Sequence, residues 1–359
     1  MTLPEISLAQ ANRYLLKRQH LLEPCSDPLQ ATADACGLQA QVPSSPALSL
    51  RNRVKGFTLA DYDRLLVQER KIVRTWAMRG TIHVVQSDRL PIYTSIYADE
   101  SWPTPAMLQA MELLKEGPLT RKQLIARAKS KLGLPAEQAE RLFGPWGGIL
   151  KSLSYAGLTV HYPMNEGAEV PVARVEDWLG PQAPLPVKAE LEDWLFLAYA
   201  HGYGPVTVRD FAHFSLLPVG RIRAIIERTP GLAQVRLEGS KLTHYIPQAD
   251  LPELLATTGA EEAPVRLLPR FDSLVLAHKD KARILDEPLR RKVFKDAAVV
   301  EAVALIRGRI GGIWRMKSTT RELRVEFHPF GRQPASAVKA EAARLGKWLG
   351  LERLAFDVI

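Results

Sequence analysis

The sequence predicts an α+β fold built from three tandem winged-helix motifs followed by a β-rich C-terminal module. Three observations predict it. The tetrapeptide Gly117-Pro-Leu-Thr120 recurs as Gly204-Pro-Val-Thr207, 87 residues further on. Around each copy the same order of elements repeats: an amphipathic helix, two short helices and an extended segment. After Pro247 the pattern changes to short apolar stretches typical of strands.

Taken in chain order, the first motif is predicted around Phe57-Thr58-Leu-Ala-Asp61, where Thr58 and Asp61 have the spacing of a capping box. It leads to Arg74-Thr-Trp-Ala-Met-Arg79-Gly80-Thr-Ile-His83, read as two strands turning at Arg79-Gly80. The second motif begins with the helical stretch from Pro105. Thr120 then stands where an N-cap hydroxyl would take an orphan N–H. Leu134-Pro135 opens another helix over Ala136 to Leu142, and Gly157-Leu-Thr-Val-His161-Tyr is extended. The third motif repeats this with Thr207 as cap, Leu217-Pro218, a helix over Val219 to Ile226 and a hairpin around Glu238-Gly239-Ser240. Predicted strands beyond it are Leu274 to Ala277, Val303 to Ile306, Ile310 to Trp314 and Leu323 to Phe327. A turn is expected at Arg307-Gly308-Arg309, and a helix over Ala335 to Leu349. Pro181 to Pro186, with three prolines in six residues, is the clearest linker. The expected modules are therefore 1–102, 103–180, 187–250 and 264–359.

Composition narrows the function. The 46% hydrophobic and 24% charged residues are the balance of an ordinary globular chain, which excludes disorder and collagen-like repeats. No stretch approaches the ~18 apolar residues of a membrane span, and the first residues lack a signal peptide's basic and apolar regions. A cytoplasmic protein without membrane contact is expected. Cys25 and Cys36 are the only cysteines and the eight histidines are scattered, so neither a disulfide framework nor a metal site is expected. Walker A, dinucleotide, zincin and nucleophile-elbow motifs are all missing, and no cofactor is expected. Trp146-Gly147-Gly148 and Gly311-Gly312 read as turns or close backbone approaches. The formal net charge of +9 is concentrated: +8 between Arg266 and Arg332 and +5 between Arg51 and Gly80, against −4 elsewhere. Two separated basic segments point to a polyanion as partner, although solvated basic faces would leave the same pattern.

The motif that stands out is Gly37-Leu-Gln39-Ala-Gln41-Val-Pro43, followed by Arg51-Asn-Arg53. Together with Trp76-Ala-Met-Arg79-Gly-Thr-Ile-His83 and Leu267-Leu-Pro-Arg270-Phe-Asp272-Ser-Leu-Val-Leu-Ala-His278-Lys279-Asp280, it resembles the winged-helix DNA glycosylases of the AlkZ/YcaQ type. The resemblance spans nearly the whole chain. It implies a C-shaped, basic-lined body that removes bulky N7- or N3-alkylated purines from double-stranded DNA, interstrand crosslinks included, in repair or in self-resistance to a DNA-alkylating natural product. It implies Gln39 and Gln41 as the catalytic pair, of the AlkZ rather than the YcaQ branch, which carries Asp at the second position. Phe214 stands where the family has Trp.

Glutamine has no titratable proton, so the chemistry must be one that needs no strong base. An N-alkylated purine already carries positive charge and leaves without an enzyme acid. What remains is to hold a water at C1′ and to face the cationic sugar with amide dipoles. The expectation is an extended run in which residues i and i+2 share a face, since Val42 precedes a proline and avoids the α region. Without the resemblance, two glutamines are equally well polar loop residues.

Arg51, Arg53, Arg74 and Arg79 are expected phosphate contacts, or solvated surface charges. His83 is expected either near the DNA or as a satisfied structural histidine. His278, Lys279 and Arg283 line the DNA channel by resemblance, and Arg307 and Arg309 form a hairpin tip suited to probing a groove. No lysine lies near the glutamine pair, so a monofunctional enzyme without lyase chemistry is expected. Three DNA-facing modules in one chain favour a monomer. A non-enzymatic winged-helix DNA-binding protein, such as a transcription regulator, is the alternative.

Overall fold

The computed structural model describes residues 3–144, 147–163, 169–184, 186–258, 263–296 and 298–359. Trp146 and Leu185 therefore lie outside the described residues. By internal contacts the chain forms two compact units, Asp63–Leu195 on one hand and Met1–Tyr62 with Phe196–Ile359 on the other.

In the unit Asp63–Leu195, the strands Ile72–Trp76 and Ile82–Gln86 pair antiparallel with Thr75 opposite His83. The turn between them holds Arg79 at φ +59° and Gly80 at φ +65°. Arg74 pairs in turn with His161 of the strand Thr159–His161, which pairs with Val172–Arg174. The expected first hairpin and the extended segment of the second motif thus lie in one sheet, so compact units do not follow motif boundaries. Helices Pro105–Leu113, Arg121–Leu132, Ala136–Leu142 and Gly148–Tyr155 bury Met107, Leu124, Phe143, Leu150 and Leu153 in one core. Thr120 caps the second of these in a full capping box with Gln123. The helix Gly148–Tyr155 was not separated in sequence. It requires glycine at its start, because a Cβ on Gly148 would stand 2.5 Å from the Leu142 carbonyl oxygen.

In the other unit, Leu232–Leu237 and Thr243–Pro247 form the expected hairpin, and Glu5–Ile6 adds to it as a parallel strand. Thr207 caps the helix Val208–Ser215 in a capping box with Asp210, and the helix Val219–Arg228 follows. The C-terminal sheet runs in the order Arg353–Val358, Glu322–Pro329, Arg309–Ser318, Val303–Ile306, Arg266–Leu268. The helix Ala335–Trp348 covers it, burying Val338, Ala342 and Leu345 against Trp314, Val325 and Phe327. Gly312 belongs to a strand interior, where a Cβ would lie 2.6 Å from the Phe327 ring.

One predicted strand is a helix. Leu274 to Ala277 lies in the helix Ser273–Ala277, whose N-cap Asp272 accepts from the Leu274 N–H at 3.0 Å. Four apolar residues carry no period, and the cap before them decides the conformation.

Candidate active site

The Gln39 segment is positioned by its carbonyls. The helix Pro28–Asp34 ends, and Cys36 at φ +47° and Gly37 at φ +86° turn the chain into the two-residue strand Leu38–Gln39. Three buried side chains from distant elements donate to this turn. Gln19 Nε2 donates to the Asp34 carbonyl at 2.7 Å, the Tyr203 hydroxyl to Ala35 at 2.7 Å and Ser273 Oγ to Gly37 at 2.9 Å. Each would otherwise be a buried acceptor at a cost of about 1–3 kcal/mol, so together they hold one path of the chain into Gln39.

The far side is held as firmly. The chain bends at Gln41 and Val42 and enters the helix Ser45–Arg53. Ser45 Oγ donates to the Arg270 carbonyl at 2.8 Å and Asn52 Nδ2 to Leu267 at 2.9 Å. Ser49 Oγ and Arg53 both reach Asp272, at 2.6 Å and 2.7 Å. Burial alone would push the Asp272 carboxyl up, but the Arg53 guanidinium and these hydrogen bonds hold it below its ordinary range. The Gln39–Arg53 and Leu267–Asp280 stretches, far apart in sequence, therefore form one hydrogen-bonded block.

Within that block the two glutamines differ. The extended run stops at Gln39, which is 5% exposed, whereas Gln41 sits in the bend and is exposed. The expected extended run through Gln41 is corrected here: Pro43 fixes a turn directly before a helix instead of prolonging the strand. What the arrangement offers chemically is one amide fixed in a buried wall and a second at its solvent edge, two residues on.

Several expected DNA contacts lack the exposed position that such a contact needs. Arg53 is fully buried on Asp272. His278 is buried with Nε2–H donating to the Tyr203 carbonyl at 3.0 Å, and burial with the neighbouring Arg283 pushes its proton affinity down. Arg283 is buried too, donating to the Tyr203 and Pro205 carbonyls. These three are structural, their side chains spent on backbone and carboxylate partners inside the unit. The Arg307-Gly308-Arg309 tip is not a projecting probe: Asn12 Nδ2 donates to the Gly308 carbonyl at 2.9 Å, docking the turn on the helix Leu8–Arg18. Arg309 is bound to the Ala282 and Arg283 carbonyls and to Asp286. Arg51 is mostly covered and pairs with Glu341 at 2.8 Å. Arg307 and Lys279 are exposed.

In the unit Asp63–Leu195, Arg74 and Arg79 are half-buried. His83 is buried, with Nδ1–H donating to the Thr81 carbonyl at 3.1 Å, which leaves Nε2 to accept from Arg79 at 3.1 Å. Burial and then the Arg79 charge push its pKa down to about 3. His83 is a neutral histidine that orients Arg79, rather than a group facing a ligand.

Sequence reasoning missed Gln19, Tyr203 and Ser273 entirely. Their partners are backbone carbonyls, and no motif marks such a role. Among the described residues no group of three His, Cys, Asp or Glu side chains is placed to hold a metal ion, and no helix is long and apolar enough to cross a membrane.

Comparison with known proteins agrees with this geometry. The family model described as "DNA glycosylase AlkZ-like" matches residues 32–348. An interstrand DNA cross-link repair glycosylase of Streptomyces sahachiroi is 29% identical over 378 aligned positions, covering 98% of this chain and 99% of its own. The solved structure of the DNA glycosylase AlkZ from the same organism superposes with a TM-score of 0.84 at 27% identity, covering 99% of this chain and all of that one.

Proposed function

Because the chain belongs to the AlkZ-like DNA glycosylase family, we propose that it hydrolyses the N-glycosidic bond of bulky N7- or N3-alkylated purines in double-stranded DNA, and that it unhooks interstrand crosslinks as its Streptomyces relative is named for doing. The observation that supports this is the clamped Gln39 segment. A buried amide needs a fixed backbone if its oxygen is to hold a water at C1′, and the carbonyls of Asp34, Ala35 and Gly37 are each tied down just before it.

In this reading the C1′–N bond breaks with its electron pair going to the purine, which neutralises the positive charge that alkylation gave it. The water oxygen, oriented by the Gln39 and Gln41 amides, bonds to C1′ and its proton passes to solvent. The product is an abasic site, without lyase chemistry. Neither step needs a titrating side chain or a cofactor. The modules 1–102, 103–180, 187–250 and 264–359 act as three winged helices and a β-rich wall of a C-shaped monomer in the cytoplasm.

Incubation with a duplex carrying N7-alkylguanine, followed by mild base and heat, should cleave the strand at the lesion. Gln39→Ala with Gln41→Ala should abolish that cleavage and leave duplex binding at low salt intact. A transcription regulator would instead prefer a sequence in undamaged DNA and yield no abasic product.

A further inference from the structure

A groove of about 430 Å³ begins at Val42, one residue beyond Gln41. Leu48 and Trp314, both nearly fully buried, give it an apolar and aromatic floor, and Met316 forms part of its wall. Exposed Lys317 and Arg324 stand at its rim. Arg270 also lines it, and the Arg270 Nε–H is shielded from solvent without any hydrogen-bond acceptor among the described residues.

Each feature constrains an occupant. The volume lies within the ~300–1,000 Å³ typical of sites for drug-sized molecules, far more than a methyl or ethyl group fills. The Trp314 and Leu48 surfaces favour an aromatic or aliphatic body over a sugar or a free phosphate. A buried donor with no acceptor is costly, and an occupant that brings an oxygen acceptor relieves that cost. The rim cations match the phosphates on either side of a lesion held at Gln41.

We propose that this groove is the subsite for the substituent of the damaged purine, taking a drug-sized, largely aromatic or apolar group whose carbonyl or hydroxyl oxygen accepts from Arg270. The inference rests on the glycosylase reading above and adds to it the residues that set lesion preference. Substituent binding here holds the sugar against Gln39 and Gln41 through contacts remote from the reacting bond, so large adducts gain rate where small ones do not.

The test compares two duplexes, one with N7-methylguanine and one with the N7-guanine adduct of an epoxide carrying a fused-ring aryl ketone. Single-turnover release of each base is followed by wild type and by two variants with unchanged melting temperature. Met316→Trp, which fills the groove, should slow release of the large base at least tenfold and change N7-methylguanine release less than twofold. Arg270→Met should slow release of the ketone adduct about tenfold and leave the same adduct without its carbonyl oxygen unaffected. Equal losses on both duplexes, or no loss on the large adduct, would overturn the inference while leaving the glycosylase reading intact. Release of neither base by wild type would overturn that reading, and the inference with it.

Discussion

Arg53 and Asp272 meet in a two-pronged ion pair across 219 residues of sequence, with Nη2 to Oδ1 at 2.7 Å and Nη1 to Oδ2 at 2.9 Å, and neither side chain is exposed. The pair joins the helix that follows Gln41 to the N-cap of the helix Ser273–Ala277. Asp272→Ala leaves a buried guanidinium uncompensated and should cost about 3–5 kcal/mol in urea unfolding. Arg53→Met with Asp272→Leu, which removes both charges, should recover most of that loss. The carboxyl is held below its ordinary value. Its contribution is therefore complete above the unfolded-state value of ~3.9 and lost as pH falls through the lower folded value.

Burial also divides the basic residues by what they do to DNA binding. Arg307 and Lys279 are exposed, whereas Arg53 and Arg283 are enclosed among carbonyls and carboxylates. Replacing Arg307 or Lys279 by alanine should each lower the slope of log affinity against log salt by about 0.9, one phosphate's worth. Arg53→Met should leave the slope unchanged in whatever fraction stays folded. Titrations of one duplex between low and moderate salt read both quantities, and an unchanged slope for Arg307→Ala would remove that residue from the DNA surface.

Much of the fold was legible in sequence because its signals are local. Thr120 and Thr207 both close capping boxes, and the turns at Arg79-Gly80 and Arg307-Gly308 require left-handed backbone that a dipeptide announces. The glutamine pair was legible only through its family resemblance. Its supports were not, because Gln19, Tyr203 and Ser273 act on backbone carbonyls that lie 15 to 236 residues away. Charge was misread for a related reason. Arg53 and Arg309 are as basic as Arg307 in sequence, and only tertiary packing assigns them Asp272 and Asp286 as partners.

Tyr203 offers the cleanest test of the clamp. Its hydroxyl donates to the Ala35 carbonyl, four residues before Gln39, and its ring is buried among aromatic neighbours that phenylalanine would keep. Tyr203→Phe should therefore cost only about 1–3 kcal/mol of stability through the unmet carbonyl. On a damaged duplex it should lower the single-turnover rate severalfold with little change in duplex affinity, the split expected of a residue that positions Gln39 without touching DNA. A matched loss in both quantities would make Tyr203 a general structural residue instead.

His83 and His161 give the unit Asp63–Leu195 a defined response to pH. Burial first, and then Arg79 for His83 and Arg74 for His161, depress both to about 3. Freed in the unfolded chain, each titrates near 6.5. Over the interval between those values the unfolded state binds more protons, so stability rises with pH by about 1.4 kcal/mol per unit for each histidine. It is complete above ~6.5 and lost as pH falls toward 3. From pH 7 to pH 5 the loss should be about 2 kcal/mol per histidine in denaturant unfolding, and His83→Gln should remove one such share of the slope. Histidine ring shifts followed by NMR provide the direct check. A native His83 or His161 resonance that titrates near 6.5 would contradict the buried, neutral state that its hydrogen bonds require.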